Sequence, residues 1–232
     1  MSKKILMALL TVFSSIIIVF FVINNMPGDP VDILAQDIVR TENLAYDLAY
    51  DRAIATLNYD PSRPISEKFV VYAKGILKGD LGMSMTYKKP VLDIVKGALP
   101  WTLLVLSISL MLSFTTGAIL GIYIAWKQKK SLNTGLTIYQ SIFGSIPDYI
   151  VAYLLVFIFS VTLGILPSKG AYSSSVMPGF NVDFVLNVLK HATLPVMAYF
   201  VTTVASWTIS MKANSIGILG EDYITYATVR GL

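Results

Sequence analysis

The sequence contains no cysteine and one histidine, His191, in 232 residues. The first absence excludes a disulfide framework, thiolate catalysis and metal sites with cysteine ligands. The second excludes a multi-histidine metal site. A single histidine at the end of an apolar segment is more typical of a hydrogen-bonded structural residue than of a ligand. We therefore expect no bound metal.

Charged residues are also scarce, at 14% of the chain, whereas 55% of the residues are hydrophobic. The mean hydropathy is +0.66, a value typical of membrane proteins rather than soluble enzymes. The net charge of +4 comes from bases that cluster beside apolar segments instead of forming one basic surface. The composition therefore predicts membrane lipid as the surrounding partner and no nucleic acid.

Familiar catalytic motifs are missing. The sequence contains no G-x-x-x-x-G-K-[ST] phosphate loop, no H-E-x-x-H zinc motif and no G-x-S-x-G nucleophile elbow. We expect no catalytic residue, no cofactor and no enzymatic activity in this chain. A membrane protein without an energy-converting site is typical of a channel half or of a permease driven by another subunit.

Four apolar segments predict an all-α, polytopic transmembrane helix bundle forming a single domain over residues 1–232. A helix needs about 20 residues to cross a hydrocarbon core of roughly 30 Å. The expected spans are residues 5–25, 101–126, 135–165 and 193–211. The first favours an uncleaved anchor over a signal peptide, because the run is long and no small-x-small cleavage site follows it.

Positive charges set the expected orientation. Basic residues flank the expected spans at one side of the membrane: Lys3, Lys4, Lys127, Lys129, Lys130, Lys212 and Arg230. The positive-inside rule assigns this side to the cytoplasm, so the N-terminus is also expected there. Residues 29–99 mix acids with bases and carry amphipathic helical spacing, which predicts an extracytoplasmic helical cap. Residues 166–192 are expected to form an outer loop, with a short amphipathic piece near its end.

Small residues recur every fourth position in the second span, at Ser109, Ser113, Gly117 and Gly121. Such a stripe lets the backbone of another helix approach closely. We interpret these four residues as a helix-packing surface.

The third segment is interrupted by Ser145-Ile146-Pro147-Asp148, which predicts a tilted or broken helix. An ionised carboxylate within the membrane costs on the order of 3 kcal/mol or more. Asp148 therefore lies either on a water-filled pathway or at the N-cap of the helix after Pro147, and the sequence leaves both interpretations open.

The fourth span carries Thr202, Ser206 and Ser210 on one face, between Ala198 and Asn214. Helix packing explains small residues, but a helix beside an aqueous cavity would show the same pattern. We keep Asp148, Thr202, Ser206 and Ser210 as candidate residues of a translocation pathway.

The cytoplasmic segment 213–232 ends in the pattern of one short helix. Acids at its start and a cation at its end suit the helix dipole, and a glycine follows as a left-handed C-cap. A helix of about ten residues is marginal alone, so we expect it to dock on a partner. Its candidate contact residues are Glu221, Asp222, Tyr223, Tyr226, Ala227, Arg230 and Gly231.

Several motifs follow one another along the chain: Met26-Pro27-Gly28-Asp29-Pro30, Gly79-Asp80-Leu81-Gly82-Met83-Ser84, Leu99-Pro100-Trp101-Thr102-Leu103, Ser145-Ile146-Pro147-Asp148-Tyr149, Leu166-Pro167-Ser168-Lys169-Gly170, His191-Ala192-Thr193-Leu194-Pro195 and the terminal segment from Glu221 to Gly231-Leu232. This ordered set resembles the permease subunits of oligopeptide and dipeptide ABC importers, in particular the B-type subunit. Together they cover nearly the whole chain in the family's order.

The resemblance implies a bacterial inner-membrane subunit that forms half of a peptide pathway. It implies a sister permease, two cytoplasmic ATPase subunits that receive the terminal helix, and an extracytoplasmic substrate-binding lipoprotein that docks on the outer segments. Where the wider ABC-permease signature has Glu-Ala-Ala, this chain has Thr225-Tyr226-Ala227. Family members continue with about two further spans, so the resemblance also implies a C-terminally short chain.

Two alternatives remain at this stage. Permeases for nickel or another small solute share this subunit type, and no residue pattern here selects the substrate. A non-transporting membrane interaction or sensor protein could also use a terminal docking helix.

Overall fold

The computed structural model describes residues 2–25, 27–57, 59 and 61–231. Within these ranges the regular structure is helical apart from an isolated β-bridge between Met83 and Pro90. The prediction of an all-α protein is confirmed. Met26 of the first family motif and Leu232 of the expected coupling segment lie outside the described residues.

The chain divides into two compact units, residues 1–98 and 99–232. The first contains the helices α1 (Ser2–Asn24), α2 (Pro30–Glu42), α3 (Tyr46–Leu57) and α4 (Ile65–Leu77). Helix α5 (Val91–Lys127) begins in this unit and continues into the second. The second unit also contains α6 (Lys130–Phe143), α7 (Asp148–Leu155), a π-helix (Val156–Thr162), α8 (Val182–Leu219) and α9 (Asp222–Val229).

Helices α2 and α3 form a hairpin with an aliphatic core. Asp29 starts α2 by accepting the N–H of Val31 at 2.9 Å, and Pro30 occupies the first turn, where its missing donor costs nothing. Asn43 ends the helix in a left-handed conformation, with φ of 54°. The core between the two helices contains Val31, Leu34, Ala35, Ile38, Ala49 and Ala53.

Three helices are long and apolar enough to cross a membrane, namely α1, α5 and α8, and the bent pair formed by α6 with α7 and the π-helix brings the number to four. Two boundaries differ from the expected ones. Helix α5 begins at Val91 and runs through Pro100, and α8 begins at Val182 and runs through Pro195. A proline removes one backbone hydrogen bond, which a helix of this length tolerates. The second half of the expected outer loop is therefore helical.

Helices α5 and α8 lie parallel to each other. Thr203 bonds to Ser113, Gly117 lies against Trp207, and Gly121 lies against Met211, so both chain numbers rise together along the contact. Two parallel spans must cross in the same direction. The chain between them therefore returns through α6, α7 and the π-helix, which makes this bent pair a broken span instead of a re-entrant loop.

Candidate functional site

The small-residue stripe of α5 is buried against α8. A Cβ atom at Gly117 would lie 2.5 Å from Trp207 Cβ, and one at Gly121 would lie 2.7 Å from the carbonyl oxygen of Thr208. Such distances leave no room for a side chain, so the two backbones are in direct contact. Ser113 accepts a hydrogen bond from Thr203 Oγ1 at 2.9 Å, and Ser109 is also buried. This α5/α8 seam fixes the relative register of two spans.

The expected interruption of the third span is present. Helix α6 ends at Phe143, α7 starts at Asp148, and the two axes bend by 87°. Pro147 occupies the N-cap position and Asp148 is the first helical residue, so the N-cap assignment of Asp148 is displaced by one position. Its Oδ1 accepts the N–H of Tyr149 at 2.9 Å, and the side chain remains partly exposed.

The candidate pathway face of α8 is distinct from the seam. Ser206 and Ser210 are exposed, as is Asn214 further along the helix. Thr202 is half-buried and donates within its own helix, to Ala198 O at 3.1 Å. In this chain the face therefore presents hydroxyl groups outward from a membrane-spanning helix, and it does not pack against α5.

Two contacts that the sequence analysis did not single out stabilise this unit, together with a contact of His191. Tyr139 of α6 donates to the carbonyl of Val201 at 2.8 Å, tying the broken span to α8. Asn187 accepts the N–H of Ser173 at 2.8 Å, which ties the outer loop to the start of α8. His191 Nδ1 lies 2.8 Å from the carbonyl of Asn187, in a contact consistent with a structural histidine.

These contacts have weak sequence signals, because a Tyr or Asn that bonds to a distant backbone group leaves no periodic pattern. Thr203, which bonds to the Ser113 side chain, and Thr208, which donates to the carbonyl of Val204 in its own helix, were not singled out either. Thr208 is 1% exposed, yet it lies outside the stripe that the four-residue spacing selected. The π-helix was missed as well; Thr162 Oγ1 donates there to the carbonyl of Phe157, five residues earlier, at 3.0 Å.

The terminal helix α9 extends from Asp222 to Val229, with Glu221 immediately before it. Gly231 has φ of 81°, the left-handed conformation expected of it. The N–H of Arg230 bonds to the carbonyl of Ala227 at 3.1 Å and closes the last turn. Eight residues span about 12 Å, too short to cross a bilayer.

Several side chains of α9 are exposed. Tyr223 is 60% exposed, Tyr226 is 70% exposed and Val229 is 82% exposed, whereas Ala227 is half-buried. Two exposed tyrosines and a valine on one short helix form an amphipathic contact surface of the kind found at protein interfaces.

The described residues contain no group of three or more His, Cys, Asp or Glu side chains that could hold a metal ion. The arrangement in this part of the chain consists of a packed seam, a broken span, a polar helix face and an exposed terminal helix.

Comparison of the sequence with known protein families identifies the family of this chain. The binding-protein-dependent transport system inner membrane component matches residues 117–232, half of the chain, and covers the broken span, α8 and α9. The chain belongs to this family. Family membership places it among the permease subunits of ABC transporters, which are non-catalytic because separate subunits hydrolyse ATP. With its several apolar helices, the chain is a multi-pass inner-membrane protein.

Three relatives illustrate the similarity. A probable peptide ABC transporter permease protein of Sinorhizobium fredii is 24% identical over 93% of this chain and 64% of its own length. An oligopeptide transport system permease protein of Bacillus subtilis is 23% identical over 99% of this chain and 69% of its own. A glutathione transport system permease protein of Escherichia coli is 27% identical over 99% and 68%. The chain thus spans about two thirds of the length of these relatives.

Proposed function

We propose that this chain is a permease subunit of an ATP-driven importer for peptides or closely related solutes, and that it couples to a cytoplasmic ATPase through α9. Relatives named for peptide, oligopeptide and glutathione transport support this substrate class. The exposure of Tyr223 and Tyr226 on a short helix is the observation that carries the coupling assignment.

The coupling role follows from how α9 is attached. It follows α8 after a two-residue break, and the N–H of Glu221 bonds to the carbonyl of Ile218 at 3.1 Å within that break. Helix α8 is also one side of the α5/α8 seam. A displacement of α9 by an ATPase would therefore be passed to a membrane-spanning helix through a short hydrogen-bonded connection.

The pathway assignment rests on the outward polar face of α8. Exposed hydroxyl groups on a spanning helix are poorly solvated by lipid tails, so Ser206 and Ser210 favour an aqueous pathway or another subunit as their neighbour. Asp148, partly exposed at the break of the third span, fits the same pathway, because discontinuous helices commonly line transport sites.

The proposed complex contains a sister permease, two ATPase subunits and a substrate-binding lipoprotein. The lysines at the α5/α6 connection support a cytoplasmic position for that end of the bundle. The N-terminus, with Lys3 and Lys4 before the first span, is proposed to lie on the same side. Residues 29–99 and the loop 166–181 would then face the binding protein.

Replacing Tyr226 with alanine tests the coupling assignment. The full chain is co-expressed with the ATPase and sister subunits, and ATPase recovered with it from mild detergent is quantified. We expect Tyr226→Ala to reduce recovery about tenfold, because an exposed aromatic anchor typically contributes over 1 kcal/mol to an interface. Tyr87→Ala is the matched control, since Tyr87 is 67% exposed in the first unit.

Gly231→Val provides a second variant, because a β-branched residue is strained at φ of 81° although its Cβ would meet no atom within 4 Å. It should weaken ATPase recovery while the membrane spans stay folded. Equal ATPase recovery with wild type, Tyr226→Ala and Gly231→Val would refute docking through α9. The substrate class is tested by measuring uptake of a labelled peptide by the assembled complex. Competition by unlabelled peptide but not by nickel is expected of a peptide importer.

A further inference from the structure

The connection between α5 and α6 carries three lysines in four positions, Lys127, Lys129 and Lys130, which we name the basic turn. All three side chains are exposed. In the described part of the chain, none of them is paired with a carboxylate; the ion pairs found there join Arg52 to Glu42 and Lys88 to Asp37. The basic turn therefore presents three uncompensated positive charges.

The two helices that meet at the turn add no negative charge near it. The sequence has no acidic residue between Asp93, at the far end of α5, and Asp148, at the start of α7. The part of α8 that packs on α5 contributes a further cation, Lys212, whose backbone N would lie 2.8 Å from a Cβ at Gly121. Next to the turn, on α5, α6 and the packed part of α8, the charged side chains are therefore lysines; the next acids along the chain from α8 are Glu221 and Asp222, at the start of α9.

The turn is held in shape by its backbone. Gln128 adopts φ of 48° and donates its N–H to the carbonyl of Ile124 at 3.0 Å. The carbonyl of Lys129 accepts a hydrogen bond from Asn133 Nδ2 at 3.1 Å in the first turn of α6. The three lysine Cα positions are therefore fixed relative to one another, which lowers the entropy lost on binding an anion.

An aromatic ring lies beside the charges. Trp126 is 66% exposed, and Lys127 Nζ lies 3.9 Å from its ring centroid. Tyr123, one turn earlier, is 46% exposed, and Ile122 beside it is 53% exposed. Tryptophan and tyrosine prefer the level of lipid headgroups, where an apolar ring face meets acyl chains and a polar edge meets water.

We propose that the basic turn, with Trp126, is a binding site for an anionic phospholipid headgroup of the inner leaflet. Lysine ammonium groups would contact the phosphate, while Trp126 and Tyr123 would cover the upper acyl chain. A lipid suits the site better than a soluble anion, because the lysines directly continue an apolar span whose exposed surface already requires acyl chains. The proposal does not rest on the coupling role of α9 or on the identity of the transported substrate.

Native mass spectrometry of the purified full chain tests the proposal, with phosphatidylglycerol and phosphatidylcholine added at equal amounts. Wild type should retain phosphatidylglycerol in preference to phosphatidylcholine, and added salt should weaken that preference. Replacing the three lysines together by glutamine (K127Q, K129Q and K130Q) should lower phosphatidylglycerol affinity at least about tenfold, since each lysine near a charged membrane contributes severalfold.

A matched triple variant removes the same charge elsewhere. Lys74, Lys78 and Lys89 are exposed in the first unit, and their replacement by glutamine should leave phosphatidylglycerol binding unchanged. Replacing the basic turn by three arginines (K127R, K129R and K130R) should preserve the binding, which supports a charge effect even if the glutamine variant is poorly folded. The proposal is overturned if the arginine variant loses the lipid, if both glutamine triples lose it equally, or if phosphatidylcholine binds as well. It is also overturned if the glutamine variant loses ATPase but keeps phosphatidylglycerol, because the turn would then be a protein contact.

Discussion

The helix pairs α2/α3 and α5/α8 differ in the side chains that they bury. Between α2 and α3 the fully buried residues are aliphatic, with Val31, Ala35, Ala49 and Ala53 at 0% exposure. Along α5 and α8 small and polar residues are buried together, with Ser113 at 0%, Thr208 at 1% and Ala125 at 0%, beside Gly117 and Gly121.

The surface of α5 outside the seam is largely apolar. On α5 many large apolar side chains are exposed; Met111 is 71% exposed and Ile119 is 63% exposed, whereas Ile124 is buried. In water, burial of apolar area drives helices together. In lipid that force is absent, and close backbone packing with interhelical hydrogen bonds takes its place. The core of the α2/α3 hairpin thus follows the packing that stabilises helices in water, and the α5/α8 seam follows the packing that stabilises helices in lipid.

The largest expected effect comes from removing a core side chain of the α2/α3 hairpin, which tests whether its core is aliphatic. Leu34 is 5% exposed, and Leu34→Ala should destabilise α2/α3 by about 2–5 kcal/mol because it leaves a cavity. Hydrogen exchange of residues 29–57, followed by mass spectrometry, should show faster exchange. Ile33→Ala is the matched control on the same helix, since Ile33 is 56% exposed. Equal exchange in the two variants would contradict an aliphatic core at Leu34.

The seam should be sensitive to the opposite change, the addition of a single methyl group. A Cβ at Gly121 would lie 2.7 Å from Met211 Cβ and 2.8 Å from the backbone N of Lys212. Gly121→Ala should therefore force the helices apart and cost about 1–3 kcal/mol, measured as a lower unfolding midpoint in detergent.

Gly135→Ala is the control for the seam, because a Cβ there would meet no atom within 4 Å. It should be neutral or slightly stabilising, since alanine favours a helix more than glycine does. If Gly121→Ala unfolds at the same midpoint as Gly135→Ala, the close approach of α5 and α8 is wrong.

The smallest effect concerns the polar edge of the hairpin, where Tyr46 OH donates to Asp32 Oδ1 at 2.6 Å. This hydrogen bond to Asp32 raises the pKa of Tyr46 from 10.0 to about 12, with further contributions from desolvation and from the Asp32 charge. The folded state thus favours the neutral phenol. The resulting stabilisation is present below pH 10 and is lost as the pH rises from 10 to about 12.

Ultraviolet absorbance of tyrosinate measures that pKa, and the difference from Tyr46→Phe isolates the residue. Asp32→Ala should return the pKa of Tyr46 toward 10.0. An ordinary pKa for Tyr46 in the unchanged chain would show that the hydrogen bond is absent in solution.

Sequence patterns predicted those features that depend on local spacing. The stripe at every fourth position of α5 identified buried residues, and the caps of α9 predicted a short helix followed by a left-handed glycine at Gly231. The break before Asp148 was also predicted, because proline restricts the residue before it. Each of these signals lies within a few residues of the structure that it determines.

Two boundaries were misplaced for a related reason. The expected spans began at residues 101 and 193, yet α5 and α8 begin earlier and run through Pro100 and Pro195. Proline is a strong local signal, but the remaining hydrogen bonds of a long helix outweigh the one that is lost. The start of α8 at Val182 is set by Asn181, whose side chain accepts the N–H of Phe184 at 2.8 Å.

The sequence by itself determined that this is an α-helical membrane chain, because apolar run length, charge placement and residue spacing act over distances of one helix. The tertiary structure decided which face of α8 meets α5, that these helices run parallel, and that the segment between them crosses as a broken span. Those outcomes depend on which backbones can approach most closely, and this is a property of two helices together that neither sequence segment carries alone.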